Sequence, residues 1–454
     1  MSSNTRVLYL VYCGVAVAVL KEFNAVVTEP YMDEPFHVPQ ALAYCEGEWS
    51  TWDPKITTPP GLHVVHNFLL YMLSVLLHWV FMFKCNLNLL RLTTTLTLLA
   101  LPLVLTRLLG FHQRRRSPPT LAPSIEALIL STFPIAWFFG FLYYTEVPSL
   151  VSVLCTVVAA TQNKHWLAGL LGIVSCLFRQ NNVIWVLYAY AASQLMRLRF
   201  KPGQAELHDP PALGAGPGDA PKALPELLPA FIPYAVVLAL FGGFVIWNDG
   251  IVLGDKSNHI PSFHVPQLYY FIAFATMIGW PAVLYGESGP LKVATEVILR
   301  MFGNKRRTLL TVIISIFMWI TIQRFTIHHP FLLSDNRHFT FYIWRRVFML
   351  HAVVPYLFIP GYQACAWAWW IRVARDQSLL QTLVLPVLIL PTLLPTPLLE
   401  PRYFLVPYIL LRAQVVDVQP YGIFVEGIWY MVINVATMYV FLYKERAGVG
   451  RFMW

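Results

Sequence analysis

Apolar blocks of roughly 20 residues, the length a helix needs to cross a bilayer, recur along this chain with only short polar connections between them. Few soluble folds could bury that pattern. Of 454 residues, 57% are hydrophobic and only 12% charged, whereas a soluble domain usually carries about a quarter charged residues. The pattern predicts an all-α polytopic membrane protein with about 11–13 transmembrane helices by the length criterion. It predicts a single membrane-embedded domain over residues 1–454, with no separate soluble domain and no internal repeat. The net charge of +9 does not mark a nucleic-acid binder. Lys and Arg sit between the apolar blocks rather than along one stripe, as topology anchors do.

The first apolar run, 7–27, is interrupted only around 21–24 and lacks a small-residue cleavage site, so it reads as a signal anchor starting in the cytosol. Residues 28–61 are polar, aromatic and Pro-rich, and then face the luminal (or periplasmic) side. Two apolar stretches follow, 62–83 and 89–110, before the basic triplet Arg114, Arg115 and Arg116. If both crossed, the triplet would be luminal, against the positive-inside bias; if only the second crosses, it is cytosolic. The second version is preferred. Residues 62–83, with His63, His66, Asn67 and His78, then lie along or re-enter the luminal surface. Residues 28–88 become a first luminal loop. Later apolar runs, among them 125–142, 309–322, 347–371, 379–399 and 404–416, alternate so that the basic connections stay cytosolic, 292–307 included. Residues 202–228, rich in Pro, Gly and Ala, read as a flexible cytosolic loop. A last run, 423–443, leaves the sidedness of 444–454 open.

Under this topology the luminal connections hold mixed acidic, basic, amide and aromatic residues: 31–37, 52–55, 254–259, 334–338 and 400–402. Ionisable groups at a membrane edge cost several kcal/mol unless paired or hydrated. Both signs on one face suggest a site, although salt bridges pinning helix ends would read the same way loop by loop. Asp33-Glu34 is the sole adjacent carboxylate pair. Stiffened by Pro35 and Pro39, it suits a general base for an acceptor hydroxyl; on spacing alone, a helix N-cap with an acidic first turn fits at least as well. Asp53-Pro54 reads first as a turn. Arg337, His338, Arg345 and Arg346 offer cations for a lipid-linked phosphate, with snorkelling at a helix end the better reading of Arg345 and Arg346. Lys256 and His259 share that ambiguity. The pairs His328-His329 and His63/His66 lack a carboxylate or thiol at metal-ligand spacing, so no metal is expected. Of six cysteines, Cys13, Cys155, Cys176 and Cys365 fall in predicted spans as packing residues. Cys45 and Cys85 would both be luminal, where an oxidising compartment permits a disulfide.

Residues 29–40, 44–47 and 52–62 together closely resemble the luminal loop of the endoplasmic reticulum dolichyl-phosphate-glucose-dependent alpha-1,2-glucosyltransferases. The likeness continues through 141–146, 178–185, 254–259, 332–346, 400–404 and the closing Arg451-Phe452-Met453-Trp454, so it covers the chain end to end. Those enzymes add the third, terminal glucose to the lipid-linked oligosaccharide used in asparagine-linked glycosylation. The resemblance implies a GT-C-type glycosyltransferase in the endoplasmic reticulum membrane, with its active site facing the lumen and its catalytic residues in the first luminal loop. Asp33 would be the catalytic acid residue, with Glu34 the lesser candidate. The donor would be dolichyl phosphate glucose and the acceptor the diglucosylated lipid-linked oligosaccharide, among membrane lipids and with no nucleic-acid partner. A beta-linked donor and an alpha product imply inversion in one displacement, without metal or cofactor. Arg337, Arg402, Lys256 and His338 would hold the donor phosphate. His37, Trp52, Asp53, Tyr144, Glu146, His259, Asp335 and Asn336 would contact substrate. Pro35 and Asn181 stand where the family pattern leads one to expect Ile and Thr. A dolichyl-phosphate-mannose transferase of the same fold is the near rival; a transporter, lacking here its inverted repeat and midplane charges, is the distant one.

Overall fold

The computed structural model describes residues 2–64, 85–114, 122–199, 224–256 and 260–454. His66, Asn67, His78, His259 and the 202–223 part of the proposed linker lie outside the described residues. Among the described residues every named element is helical. Six helices are long and apolar enough to cross a membrane, and three more apolar helices, Glu146–Thr161, His165–Phe178 and Leu379–Leu393, are shorter. The protein is thus a helical, polytopic membrane protein. The helices fall into two compact units, Met1–Gln194 with Glu226–Ile260, and Leu195–Pro225 with Pro261–Trp454.

In the first unit α1 (Ser2–Val26) leads to α2 (Glu34–Cys45), then α3 (Leu87–His112), α4 (Ile125–Ser131), α5 (Pro134–Phe139), α6 (Glu146–Thr161), α7 (His165–Phe178), α8 (Asn182–Arg199) and α9 (Leu224–Asn248). The closest packing joins α6 to α7 and α3 to α6, with α1 along α3. Pro102 inside α3 has no N–H for the Leu98 carbonyl. Tyr12 of α1 supplies the missing donor, its hydroxyl 3.0 Å from Leu98 O. A backbone group that lipid could not satisfy is thereby answered from the neighbouring helix.

Residues 125–142, expected as one span, form two short buried helices. Pro134 opens the second, and the residue before it, Phe133, is turned out of helical geometry (ψ 127°), as the proline ring requires.

The second unit runs through α10 (Pro266–Leu284), α11 (Gly289–Phe302), α12 (Lys305–Phe325), α13 (Pro330–Ser334), α14 (Phe339–Ile343), a π turn (Trp344–Phe348), α15 (Val354–Leu357), α16 (Ile359–Val373), α17 (Leu379–Leu393), a 3₁₀ turn (Pro401–Phe404), α18 (Leu405–Ala413) and α19 (Pro420–Tyr443). Here α10 is central, packing on α16 and α19. Pro281 leaves the Met277 carbonyl without its helical donor, and Trp429 Nε1 of α19 donates to it at 3.2 Å. The expected span 347–371 is broken as well, with Pro355 and Pro360 near the starts of α15 and α16. The basic stretch 292–307 is mostly the amphipathic helix α11, which buries Val293, Val297 and Met301 at four-residue spacing.

Buried charges pair across helices in this unit. Arg412 of α18 holds Glu426 of α19 through two bonds of 2.8 and 2.7 Å, both side chains buried. Tyr430 donates to the same carboxylate at 3.0 Å. At Gly286 an added Cβ would stand 1.9 Å from Arg372 Nη1, and Arg372 in turn meets Asp417 at 2.6 Å.

Candidate active site

The acidic loop of the first unit is organised by a buried arginine that sequence reading missed. Arg91, in the first turns of α3, grips Glu34 with both arms of its fork: Nε donates to Oε1 at 2.9 Å and Nη2 to Oε2 at 2.6 Å. Both side chains are 0% exposed. Arg91 Nη1 also donates to Val27 O at 2.6 Å, and Nη2 to Glu29 O at 3.2 Å. Glu34 accepts the backbone N–H of Tyr143 at 2.7 Å and of Tyr31 at 3.0 Å. One ion pair therefore ties together the end of α1, the start of α2, α3 and the segment before α6. Glu34 has the surroundings of a structural counter-ion, not of a group open to an acceptor.

Asp33 differs from its neighbour. It occupies the N-cap position of α2, yet its side chain makes no cap hydrogen bond. The residue is half-buried. Its backbone is held instead: its N–H donates to the Tyr144 hydroxyl at 2.6 Å, and its carbonyl accepts the N–H groups of Phe36 and His37, each at 3.1 Å. Met32, just before it, has φ 61°, a left-handed conformation that costs a residue with a side chain about 1–2 kcal/mol. The ion pair and the Tyr144 contact flank that strained peptide.

Around this point α2 gathers other expected residues. His37 Nδ1 lies 3.4 Å from His63 Nε2, and His63 Nδ1 lies 3.3 Å from the Tyr143 hydroxyl. Trp52 stands edge-on to His63 at 6.5 Å. Gln40 staples the 51–53 segment to α2, donating to Thr51 O at 2.7 Å and accepting from Asp53 N at 2.8 Å. Asp53 itself makes the turn its sequence suggested, with Oδ1 accepting Lys55 N–H at 2.9 Å. A disulfide joins Cys45, the last residue of α2, to Cys85, just ahead of α3, their Cα atoms 6.4 Å apart. Tyr144 is buried beneath Asp33, and Glu146 is ion-paired with Arg179. Lys256 is exposed, its ammonium donating to the carbonyls of Asn248 and Asp249 at the end of α9.

In the second unit Asp335, Arg337 and His338 form a compact triad. Arg337 Nε and Nη2 donate to Asp335 at 2.9 and 2.7 Å, and His338 Nε2 lies 3.5 Å from the same carboxylate. Burial opposes ionisation of Asp335, but hydrogen bonds from His338 and Arg337 outweigh it and hold its carboxyl well below the usual range. Burial likewise opposes a charged His338, yet Asp335, the charge of Glu400 and the Trp454 carbonyl raise its pKa. Glu400 pairs with Arg402, whose guanidinium lies 5.8 Å from the Tyr403 ring centre. The 335–338 and 400–402 loops thus share one field through Glu400 and His338. Asn336 is half-buried between Asp335 and Arg337. Arg345 and Arg346 are exposed and lie over Phe341 and Tyr342 at 5.7 and 5.1 Å, as snorkelling cations do. His328 accepts from Trp344 Nε1 at 3.2 Å, while His329 accepts Phe331 N–H at 3.2 Å and caps α13.

The signal that could have found Arg91 was local: a lone charge inside an otherwise apolar run is a functional pointer in itself. Its partner could not have been named, being 57 residues away.

Helices crossing a membrane, with ion-paired acidic and cationic loops at their ends, define a polytopic membrane protein whose polar chemistry is held at helix termini. The chain belongs to the DIE2/ALG10 family, whose family model matches residues 27–413. It is 34% identical to a Rattus norvegicus protein named Dol-P-Glc:Glc(2)Man(9)GlcNAc(2)-PP-Dol alpha-1,2-glucosyltransferase, over 97% of this chain and 96% of that one. Proteins of the same name are 32% identical in Homo sapiens (97% and 96% covered) and 29% identical in Arabidopsis thaliana (95% and 96% covered). No solved structure matches the chain.

Proposed function

We infer that this protein transfers glucose from dolichyl phosphate glucose to the 2-hydroxyl of the terminal glucose of Glc(2)Man(9)GlcNAc(2)-PP-Dol. The observation that carries the reading is similarity along nearly the full length, at 29–34% identity, to relatives so named in animals and a plant. The protein acts as an inverting GT-C-type transferase in the endoplasmic reticulum membrane, with its first loop in the lumen. The Cys45–Cys85 disulfide beside the acidic loop supports that side, since oxidising compartments sustain such bonds.

Asp33 is the general base. It takes the proton of the acceptor hydroxyl as that oxygen bonds to the anomeric carbon, while the bond from that carbon to the phosphate oxygen breaks and dolichyl phosphate departs. Glu34 holds Asp33 in place through Arg91. Arg337 and Arg402, with His338, hold the donor phosphate and stabilise its growing charge. Support for these roles is chemical: Asp33 is half-buried at the start of α2 with its backbone clamped by the Tyr144 hydroxyl, and forked guanidiniums suit phosphate oxygens.

The test is glucose transfer by the purified protein, with Asp33→Asn in parallel. Wild type should use dolichyl phosphate glucose and not the mannose donor; the reverse preference would overturn the donor assignment. Asp33→Asn should bind both substrates yet turn over about 10²–10⁴-fold more slowly. Near wild-type turnover would remove Asp33 from the chemistry.

A further inference from the structure

Beyond α19 the chain makes a built turn. Arg446 N–H donates to Gly450 O at 3.1 Å, and Gly450 N–H donates back to Arg446 O at 2.9 Å. Gly448 and Gly450 hold φ of 73° and 94°, where a side chain would be strained. Arg451 Nη1 then donates to the Phe441 and Leu442 carbonyls at 3.1 and 2.7 Å, closing the end of α19 with a cation.

Residues 452–454 run on along the segment that carries Arg337 and His338. Met453 N–H donates to Arg337 O at 2.9 Å, Phe339 N–H donates to Met453 O at 3.3 Å, and a parallel bridge links His338 to Met453. His338 Nδ1 contacts the Trp454 carbonyl. Side chains fasten the pairing: Trp454 stands edge-on to Phe339 at 5.2 Å, Phe452 lies 6.0 Å from Tyr342, and Met453 is buried. These residues lie beyond the 27–413 stretch matched by the family model.

We propose that residues 450–454 form a strap that fixes Arg337 and His338 for the donor's phosphodiester, so that the donor site is incomplete without it. The proposal rests on the phosphate role assigned above. Residues 453 and 454 are positioning residues: they hold the backbone on both sides of His338, from the Arg337 carbonyl to the Phe339 N–H, and the Nδ1 edge of the His338 ring. The ordering of that loop is then met on folding, not on binding, which is how preorganisation raises affinity. The same contacts put residues 451–454 on the same side of the membrane as the 335–338 loop.

Donor and acceptor kinetics decide it, measured on the full chain, on a form lacking Met453 and Trp454, and on Trp454→Ala, Trp454→Phe and Arg337→Ala. The shortened form and Trp454→Ala should raise the KM for dolichyl phosphate glucose roughly tenfold or more, the scale of one lost charge-assisted contact. The acceptor KM should stay unchanged, and Trp454→Phe should restore the donor KM. A drop in Tm with both KM values intact would make the strap a mere anchor and overturn the proposal. If the shortened form does not fold, the two Trp454 variants carry the decision. Arg337→Ala separates the premises. If it alone raises the donor KM, the strap fails and the phosphate role stands. If it leaves donor kinetics unchanged, the phosphate role fails, and the strap's route through Arg337 fails with it.

Discussion

Asp33 and Glu34 are adjacent carboxylates in opposite surroundings: one half-buried with its backbone clamped, the other sealed against Arg91. Removing one partner of a buried ion pair typically costs about 3–5 kcal/mol, because the other charge is left uncompensated. Glu34→Gln should therefore lower thermal stability in detergent on that scale, whereas Asp33→Asn should barely move it. Replacing both partners, Glu34→Leu with Arg91→Met, should recover much of the stability while turnover per folded molecule stays depressed, because the Asp33 peptide loses its clamp. An unchanged Tm in Glu34→Gln would mean that the pair is not charged. Recovery of turnover along with stability in the double variant would deny Glu34 a positioning role. At neighbouring positions the sequence had already said enough. Asp53 makes the turn its Pro54 announced, and Arg345 and Arg346 are exposed over the rings of Phe341 and Tyr342.

The element that matters most is α2, because both its ends are fastened to the start of α3. Glu34 meets Arg91 at one end, and Cys45 meets Cys85 at the other. Between them Val38 and Ala41 pack into a cluster with Leu62, Leu90, Tyr143 and Phe178. The disulfide closes a separation of 40 residues, for which chain entropy gives about 4 kcal/mol. Cys45→Ser should lower stability by roughly 2–5 kcal/mol and make the protein indifferent to reductant; equal melting of wild type with and without reductant would count against the bond. Long apolar helices such as α1, α3, α12 and α19 were legible because twenty apolar residues leave a helix few alternatives. Pro134, Pro355 and Pro360 carried the warnings that the expected spans 125–142 and 347–371 were broken. The charges of 292–307 hid an amphipathic helix that buries a single row of apolar residues, Val293, Val297 and Met301. No local pattern could reveal the Arg91–Glu34 or Arg412–Glu426 pairs, since each joins residues from different helices.

At the scale of the whole molecule, the topology and the strap together predict which loops share a side of the membrane. Cysteines placed at Ser334 and Ala447 should both react with an impermeant maleimide only from the luminal side of sealed microsomes, and one at Ser117 from the cytosolic side. Opposite labelling at Ser334 and Ala447 would contradict the strap. Luminal labelling at Ser117 would mean that 62–83 crosses the bilayer and would reverse the assignment of the later loops. The buried ion pair also bears on how the protein is made. Arg91 lies in the first turns of the span Leu87–His112, where an arginine costs less than the roughly 2.5–3.5 kcal/mol it would cost at the centre of an inserting helix, yet here it is sealed from water against Glu34. Its counter-ion is synthesised 57 residues earlier, shortly after α1. By the time α3 emerges from the ribosome, the carboxylate that Arg91 will grip is already in place. The partner that closes the acidic loop is thus in place as soon as α3 inserts, and that loop can take shape before most of the later helices exist.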